Sequence, residues 1–188
     1  MKVVKPTTLT AAMLVSTDAA ETYSAWNAAT AYVLDDIVLR TTTERLYQRL
    51  VAGTTATAPE SDTTNWLDIA PSNKWAMFDG EISTATTKST SLTVVLKPGY
   101  VNSLALFGLV GSNLAVTVRD ALAGNIVYTL SQDLDGTIIA DWYQYFFEPV
   151  VQLAELVLTD LPPYGDAHIT VVLTGTGTVE CGICLVGT

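Results

Sequence analysis

The chain has 188 residues, enough for one large domain or two small ones. Hydrophobic residues make up 49% of it and charged residues only 15%, which excludes an intrinsically disordered chain and favours well-buried elements or large interfaces. Nine basic and nineteen acidic residues give a net charge of −10, so the chain repels phosphate backbones and direct nucleic-acid binding is not expected.

Residues 1–22 are predicted to form an N-terminal arm. They hold Pro6 and a short apolar group from Leu9 to Val15, and no long amphipathic helix fits them. The arm either orders on a neighbouring subunit or packs on its own domain. Its most apolar stretch is too short for a signal-peptide core, and no run approaches the roughly 18 apolar residues of a membrane span, so we expect synthesis in the cytoplasm and no membrane contact.

Residues 23–74 are predicted to form a small three-stranded domain. Apolar pairs between Ala31 and Val51 are separated by Asp35-Asp36 and by the threonine-rich RTTTER, which indicates short strands with a hairpin between Val38 and Tyr47. The polar stretch from Gly53 to Asn65 contains a proline and is predicted to be a surface loop. The two aspartates are predicted to form an Asx-type turn.

Four aromatic residues are spaced along this small domain. They are Trp26, Tyr32, Tyr47 and Trp66. A unit of this size buries only a modest fraction of its surface, so we expect some of these rings to be exposed. Exposed flat rings stack on sugar faces or anchor protein contacts. The four residues are therefore the candidate ligand-binding site.

The spacing of these residues resembles that of the small chitin-type carbohydrate-binding modules. The resemblance rests on the opening tryptophan, on the tyrosine followed by aspartates and two aliphatic residues, and on Tyr47, Pro59 and the closing Trp66. It implies a compact three-stranded fold whose surface rings bind polysaccharide. Trp26, Tyr47 and Trp66 would then be the ring-stacking residues.

Residues 75–188 are predicted to form a β-sandwich. Seven or eight segments of alternating apolar residues, separated by turn residues, are typical of two packed antiparallel sheets. The segment LTVVL, residues 92–96, is apolar on both faces, which indicates either a central strand or an edge covered by another chain. We predict a mainly β protein with two structural units.

The segment DWYQYFFEPVV, residues 141–151, places five aromatic residues within six positions. Its simplest role is to cap one end of the sandwich core, with the polar tips of Trp142 and the tyrosines at the rim. The alternative is an exposed protein-binding patch. Core capping is the prediction, because large exposed apolar patches are uncommon unless they bind something.

The sequence also resembles a group of tailed-bacteriophage structural proteins. The resemblance is carried by KPTTLTAAMLVSTDA near the start and by NKWAMFDG, LTVVLKPGYVNSLALFGL, DWYQYFFEP, LVLTDLPPYGDAHITVVLTG and VECGICLVGT. In those proteins a small carbohydrate-binding-like module precedes a jelly-roll or galactose-binding-like sandwich. The resemblance implies a virion component of the tail, neck or baseplate that contacts other virion proteins and forms a symmetric oligomeric ring.

Catalytic and metal-binding motifs are missing from the sequence. There is no G-x-S-x-G, P-loop, H-E-x-x-H or dinucleotide fingerprint, so we predict no enzymatic activity and no cofactor. Carboxylate pairs such as Asp79 with Glu81, or Asp141 with Glu148, are interpreted as solvated groups or turn caps. His168 is predicted to begin a strand with its ring at the rim and receives no catalytic role.

Cys181 and Cys184 form a single C-x-x-C near the end of the chain. On an extended strand, a separation of three residues directs two side chains to opposite faces, which suits neither a disulfide nor a shared metal. A zinc site would need more ligands than the single histidine supplies. We predict small buried cysteines.

Two functional hypotheses remain open. In the first, the protein is a non-enzymatic structural subunit of a tailed-phage virion that docks neighbouring virion proteins. In the second, the small domain binds a host-surface glycan, with Asp35 or Asn65 bonding hydroxyl groups and many copies supplying avidity.

Overall fold

The computed structural model describes residues 4–137, 140–147 and 151–188. Its twelve strands are β1 (Pro6–Thr7), β2 (Leu14–Thr17), β3 (Ile37–Arg40), β4 (Arg45–Arg49), β5 (Trp66–Pro71), β6 (Thr86–Leu96), β7 (Ser103–Phe107), β8 (Asn113–Arg119), β9 (Ile126–Asp133), β10 (Glu155–Leu158), β11 (His168–Cys181) and β12 (Ile183–Gly187). One α-helix, α1, spans Trp142–Phe147, and short 3-10 turns occur at Ala11–Met13, Pro59–Ser61 and Ala76–Phe78. No helix in the described ranges is long and apolar enough to cross a membrane.

Two antiparallel sheets form the sandwich. The four-stranded sheet has the order β1-β12-β7-β10, and the five-stranded sheet has the order β2-β6-β11-β8-β9. Strand β8 shows the expected period of two, with Leu114, Val116 and Val118 buried and the residues between them half-buried. The side chains between the sheets form one apolar core, to which each fully buried aliphatic residue contributes roughly 1.5–3 kcal/mol.

The third sheet, of order β3-β4-β5, forms the small module. A mainly β protein with a three-stranded module and a sandwich of two antiparallel sheets is therefore confirmed. Strand β6, which contains LTVVL, lies between β2 and β11 and so is a central strand.

The predicted N-terminal arm belongs to the sandwich. Strand β1 pairs with β12, and β2 pairs with β6, so the segment adds an outer strand to each sheet. Since β2 and β6 are adjacent, the small module is inserted between two neighbouring strands rather than placed before the sandwich. The boundary predicted at residue 22 falls in the connection from β2 to β3. Residues 1–3 lie outside the described ranges.

Asn73 ties together the two connections between module and sandwich. Its amide nitrogen donates to the carbonyl oxygens of Ala20 at 2.8 Å and Thr87 at 2.9 Å, and its amide oxygen accepts from the Thr87 N–H at 2.9 Å. Glu21 adds a carboxylate that accepts the backbone N–H groups of Asn73 and Lys74, each at 3.1 Å. Both ends of the inserted module are thus held by the same small group of residues.

Replacing Asn73 with alanine is expected to weaken this junction by about 2–3 kcal/mol, since three hydrogen bonds are each worth about 1 kcal/mol. Limited proteolysis should then cut the connections near residues 20 and 73 faster than in the unsubstituted chain. Lys74→Ala is the control, because only the backbone of Lys74 takes part in the junction. Equal cleavage rates for both variants would show that the amide does not hold the junction.

Candidate functional site

Three of the four predicted ligand-binding rings lie inside the small module. Tyr32 is 9% exposed, Tyr47 5% and Trp66 2%, and together with Val38 they form the module's apolar core. Tyr32 contacts Trp66 edge to face, with ring centroids 5.2 Å apart. The expectation of an exposed platform is therefore wrong for these rings, because the three strands of the module close around them.

Arginine side chains lie over two of the four rings, those of Trp26 and Trp66. The guanidinium of Arg40 lies 4.9 Å from the ring centroid of half-buried Trp26 and is paired with Glu60. The guanidinium of Arg49, a residue only 2% exposed, lies 4.8 Å from the ring of Trp66. Each cation–π contact occupies one face of its ring. The aromatic residues of the module thus pack with its apolar core.

Asp35 and Asp36 lie in a turn, as predicted, but its hydrogen bonds differ from those of an Asx turn, in which the carboxylate accepts the N–H two residues further along the chain. The Asp36 carboxylate accepts the N–H of Val33 at 2.7 Å, and Asp35 adopts a φ of 69° in the left-handed region that aspartate tolerates. Asp35 also accepts a hydrogen bond from Gln48 at 2.8 Å. Asn65, the other predicted hydroxyl-binding residue, donates to the Asp62 carboxylate at 2.8 Å and 2.9 Å.

The cysteines are buried thiols, as predicted. Both are free, and a turn at Gly182 carries the chain from the five-stranded to the four-stranded sheet between them. Burial raises the pKa of Cys181 to about 12, and burial followed by the proximity of Cys181 raises the pKa of Cys184 well above its ordinary value. The described residues contain no group of three or more potential metal ligands. His168 begins β11 and is buried, with Nδ1 3.0 Å from the Asp166 carbonyl oxygen.

Helix α1 carries the largest exposed aromatic surface on the described chain. Its rings are exposed by 60–79%, and they belong to Trp142, Tyr143, Tyr145, Phe146 and Phe147. The prediction that this segment caps the sandwich core is wrong, since none of these rings packs into it. Residues 148–150 of the same predicted segment, including Glu148, lie outside the described residues.

Hydrogen bonds at its first turn explain why this short helix forms. The Asp141 carboxylate accepts the Gln144 N–H at 2.8 Å, which satisfies one of the free donors at a helix N-terminus. The Gln144 side chain in turn accepts the Ala140 N–H at 2.6 Å. The rings contact one another at helical spacing: Trp142 stacks on Phe146 with centroids 6.4 Å apart, and Tyr143 lies 4.8 Å from Phe147.

The helix lies in the connection from β9 to β10. Each of these two strands lies at one edge of its sheet, opposite β2 and β1 respectively. Backbone hydrogen bonds join the two ends of the connection, from Gly136 N–H to Val151 O at 2.8 Å and from Leu153 N–H to Leu134 O at 2.9 Å. Leu134 is fully buried in the sandwich core. The base of the aromatic loop is therefore anchored on the sandwich, while its rings face solvent.

A signal for this exposure was present in the sequence. One turn of helix takes 3.6 residues, so five rings in six helical positions point in every direction around the axis. A helix packed on one core would need polar residues on its far side. The candidate site is thus α1, and the four aromatic residues singled out from the sequence do not contribute to it.

No protein-family model matches this chain, and no curated protein matches it in sequence. Among solved structures, a chitosan-binding module from the chitosanase/glucanase of Paenibacillus sp. IK-5 aligns with 61% of this chain and 83% of its own length, at 10% identity and a TM-score of 0.39. The enzymatically active domain of tailspike protein 4 from bacteriophage CBA120 aligns with 84% of this chain at 12% identity and a TM-score of 0.31. This chain spans only 18% of that tailspike chain.

Proposed function

We propose that this protein is a non-enzymatic structural component of a tailed-phage virion, which docks a neighbouring virion protein through helix α1. The observation that carries the proposal is the group of five exposed rings on an anchored loop of the sandwich. Aromatic residues in such positions are typical centres of protein interfaces, because they bury large areas at little cost in side-chain entropy. The sequence resemblance to phage structural proteins supplies the virion setting.

The geometry of the exposed rings suits docking better than sugar binding. Trp142, Tyr145 and Phe146 contact one another both face to face and edge to face, so their ring planes differ and do not form a flat row. The 15% charged composition fits repeated packing in a symmetric ring, where interfaces bury apolar surface that a single copy leaves open. The proposed location is the tail, neck or baseplate, after synthesis in the host cytoplasm.

The test is averaged electron microscopy of intact particles, combined with mass spectrometry of gradient-purified virions. We expect the chain in every particle at a fixed copy number, with density that forms a closed ring and places α1 against another polypeptide. A double variant, Trp142→Ala with Phe146→Ala, should fail to enter particles, whereas the control Tyr100→Ala, which removes a ring 68% exposed elsewhere on the sandwich, should enter normally. Complete infectious virions formed without the chain would contradict the proposal.

Glycan binding is the second candidate function, and one observation favours a sugar site at α1 over a site in the small module. A surface depression beside Trp142 is lined by Ala140, Asp141 and Tyr145, so an exposed indole lies next to a carboxylate. A sugar ring can stack on the Trp142 indole while its hydroxyl groups donate hydrogen bonds to the Asp141 carboxylate. Retention of the chain on a polysaccharide column should then fall with Trp142→Ala and remain with Trp26→Phe. If only Trp26→Phe lost retention on the column, the sugar site would lie in the small module and not at α1.

A further inference from the structure

Charge is distributed very unevenly along this chain. Residues 1–119 contain nine basic and ten acidic residues, a net charge of −1, whereas residues 120–188 contain nine acidic residues and no lysine or arginine, a net charge of −9. Nearly all of the net charge of −10 therefore belongs to the C-terminal part of the sandwich, which includes strands β9 and β10 and helix α1.

Exposed carboxylates lie in and beside the aromatic loop along the chain. They belong to Asp133 at the end of β9, Asp135 in the following turn, Asp141 at the start of α1 and Glu155 at the start of β10. The helix itself carries five rings and Gln144 and has no charged side chain. The five rings of α1, the aromatic centre, are thus flanked along the chain by these four exposed carboxylates, which we call the acidic rim.

The area of the aromatic centre is comparable with one side of a protein interface. Five rings that are 60–79% exposed, at roughly 150–250 Å² each, offer on the order of 700 Å² of surface. A stable complex of standard size buries about 800 Å² on each partner. The helix with its rim is therefore large enough to bind a folded protein.

The described residues of a second copy of this chain do not complement the acidic rim. Among the described basic residues, four form ion pairs within the chain: Arg40 with Glu60, Arg45 with Asp68, Lys88 with Asp18, and Lys97 with Asp166. Arg49 is buried. Only Lys5, Lys74 and Arg119 are left, and they lie on separate elements: the start of the chain, the module junction and the end of β8.

We propose that α1 and its acidic rim bind a different protein, whose docking surface is an apolar patch rimmed by lysine and arginine. This inference rests on the proposed docking function and names the chemistry of the partner. Opposite charges would steer the encounter and fix the register, while the rings supply most of the buried area. Nucleic acid and anionic lipid surfaces are repelled by the same rim.

The test uses two synthetic probes with the full-length chain. One is an amphipathic helical peptide with a leucine face flanked by lysines, and the other is the same peptide with glutamate at every lysine position. Fluorescence anisotropy of the labelled peptides is measured in 20 mM and 200 mM NaCl. We expect the lysine peptide to bind, with an affinity that falls at least about tenfold at the higher salt, and the glutamate peptide not to bind.

Variants separate specific docking from general attraction between opposite charges. Trp142→Ala with Phe146→Ala should lower the affinity for the lysine peptide at least about tenfold, and Tyr100→Ala should leave it unchanged. Equal binding by all three proteins would overturn the inference, because the rings would then play no part. Equal binding of the two peptides would also overturn the inference, because the acidic rim would then not distinguish a lysine peptide from a glutamate peptide.

Sedimentation equilibrium and crosslinking decide between a different protein and a second copy. Sedimentation should show no dimer that depends on α1 at 20 mM or 200 mM NaCl. A photoreactive benzoylphenylalanine in place of Phe147 should crosslink, within particles, to a lysine- or arginine-rich segment of another protein. Dimers that strengthen with salt and disappear in the double variant would overturn the inference. In that outcome, particle incorporation that still depends on α1 would leave the proposed virion role intact.

Discussion

Replacing Trp66 with alanine is expected to unfold the small module and leave the sandwich folded. Removing a buried tryptophan costs about 3–5 kcal/mol, and a unit of roughly 50 residues has a total stability of about 3–7 kcal/mol. The indole is 2% exposed and supports both the Tyr32 ring and the Arg49 guanidinium. Hydrogen–deuterium exchange should therefore show lost protection in strands β3–β5 and retained protection in β6–β12.

Leu67→Ala is the matched control for this substitution. Leu67 follows Trp66 on β5 but is 48% exposed, so its loss should change stability by no more than about 0.5 kcal/mol. The pair also tests the original glycan hypothesis. If the Trp66→Ala protein kept full protection in β3–β5 but lost binding to polysaccharide, the ring would be a sugar platform and the assignment to the core would fail.

The sandwich was predictable because its strands repeat a local pattern. In β8 and β11 the alternation of apolar and polar residues follows directly from the two faces of a sheet, and the turns between them carry glycine, asparagine or aspartate. The start of the chain has no such pattern. Strands β1 and β2 contain two and four residues, and β1 exists only because β12 at the far end of the chain supplies its hydrogen-bond partners.

The site was less predictable because exposure depends on distant contacts. A small module is expected to leave rings at its surface on average, yet Trp66 is buried by Tyr32 and Arg49, which come from other segments of the module. The aromatic density of residues 142–147 indicated a buried cap, while its helical conformation places rings on every side. Composition alone gives the number of rings and not the surface on which they lie.

The two cysteines are expected to resist thiol reagents until the sandwich unfolds. The reactive species is the thiolate, and burial raises the pKa of Cys181 to about 12. At pH 8, a free cysteine with a pKa of about 8.5 is roughly one-quarter ionised, so a thiol with this raised pKa should react on the order of 10³-fold more slowly. Labelling with 5,5′-dithiobis(2-nitrobenzoate), with and without denaturant, measures the difference.

Thr63→Cys supplies the internal standard for this experiment, since Thr63 lies exposed in the loop before β5. The variant should show one fast thiol when folded and three when denatured. The raised pKa also sets the sign of the pH dependence. Because the folded state keeps its thiols protonated, their contribution to stability is present below the ordinary cysteine pKa of about 8.5 and is lost as the pH rises from there to about 12. Three fast thiols in the folded variant would mean that the turn at Gly182 opens readily. The two sheets would then be less firmly joined at this end than the burial of both cysteines indicates.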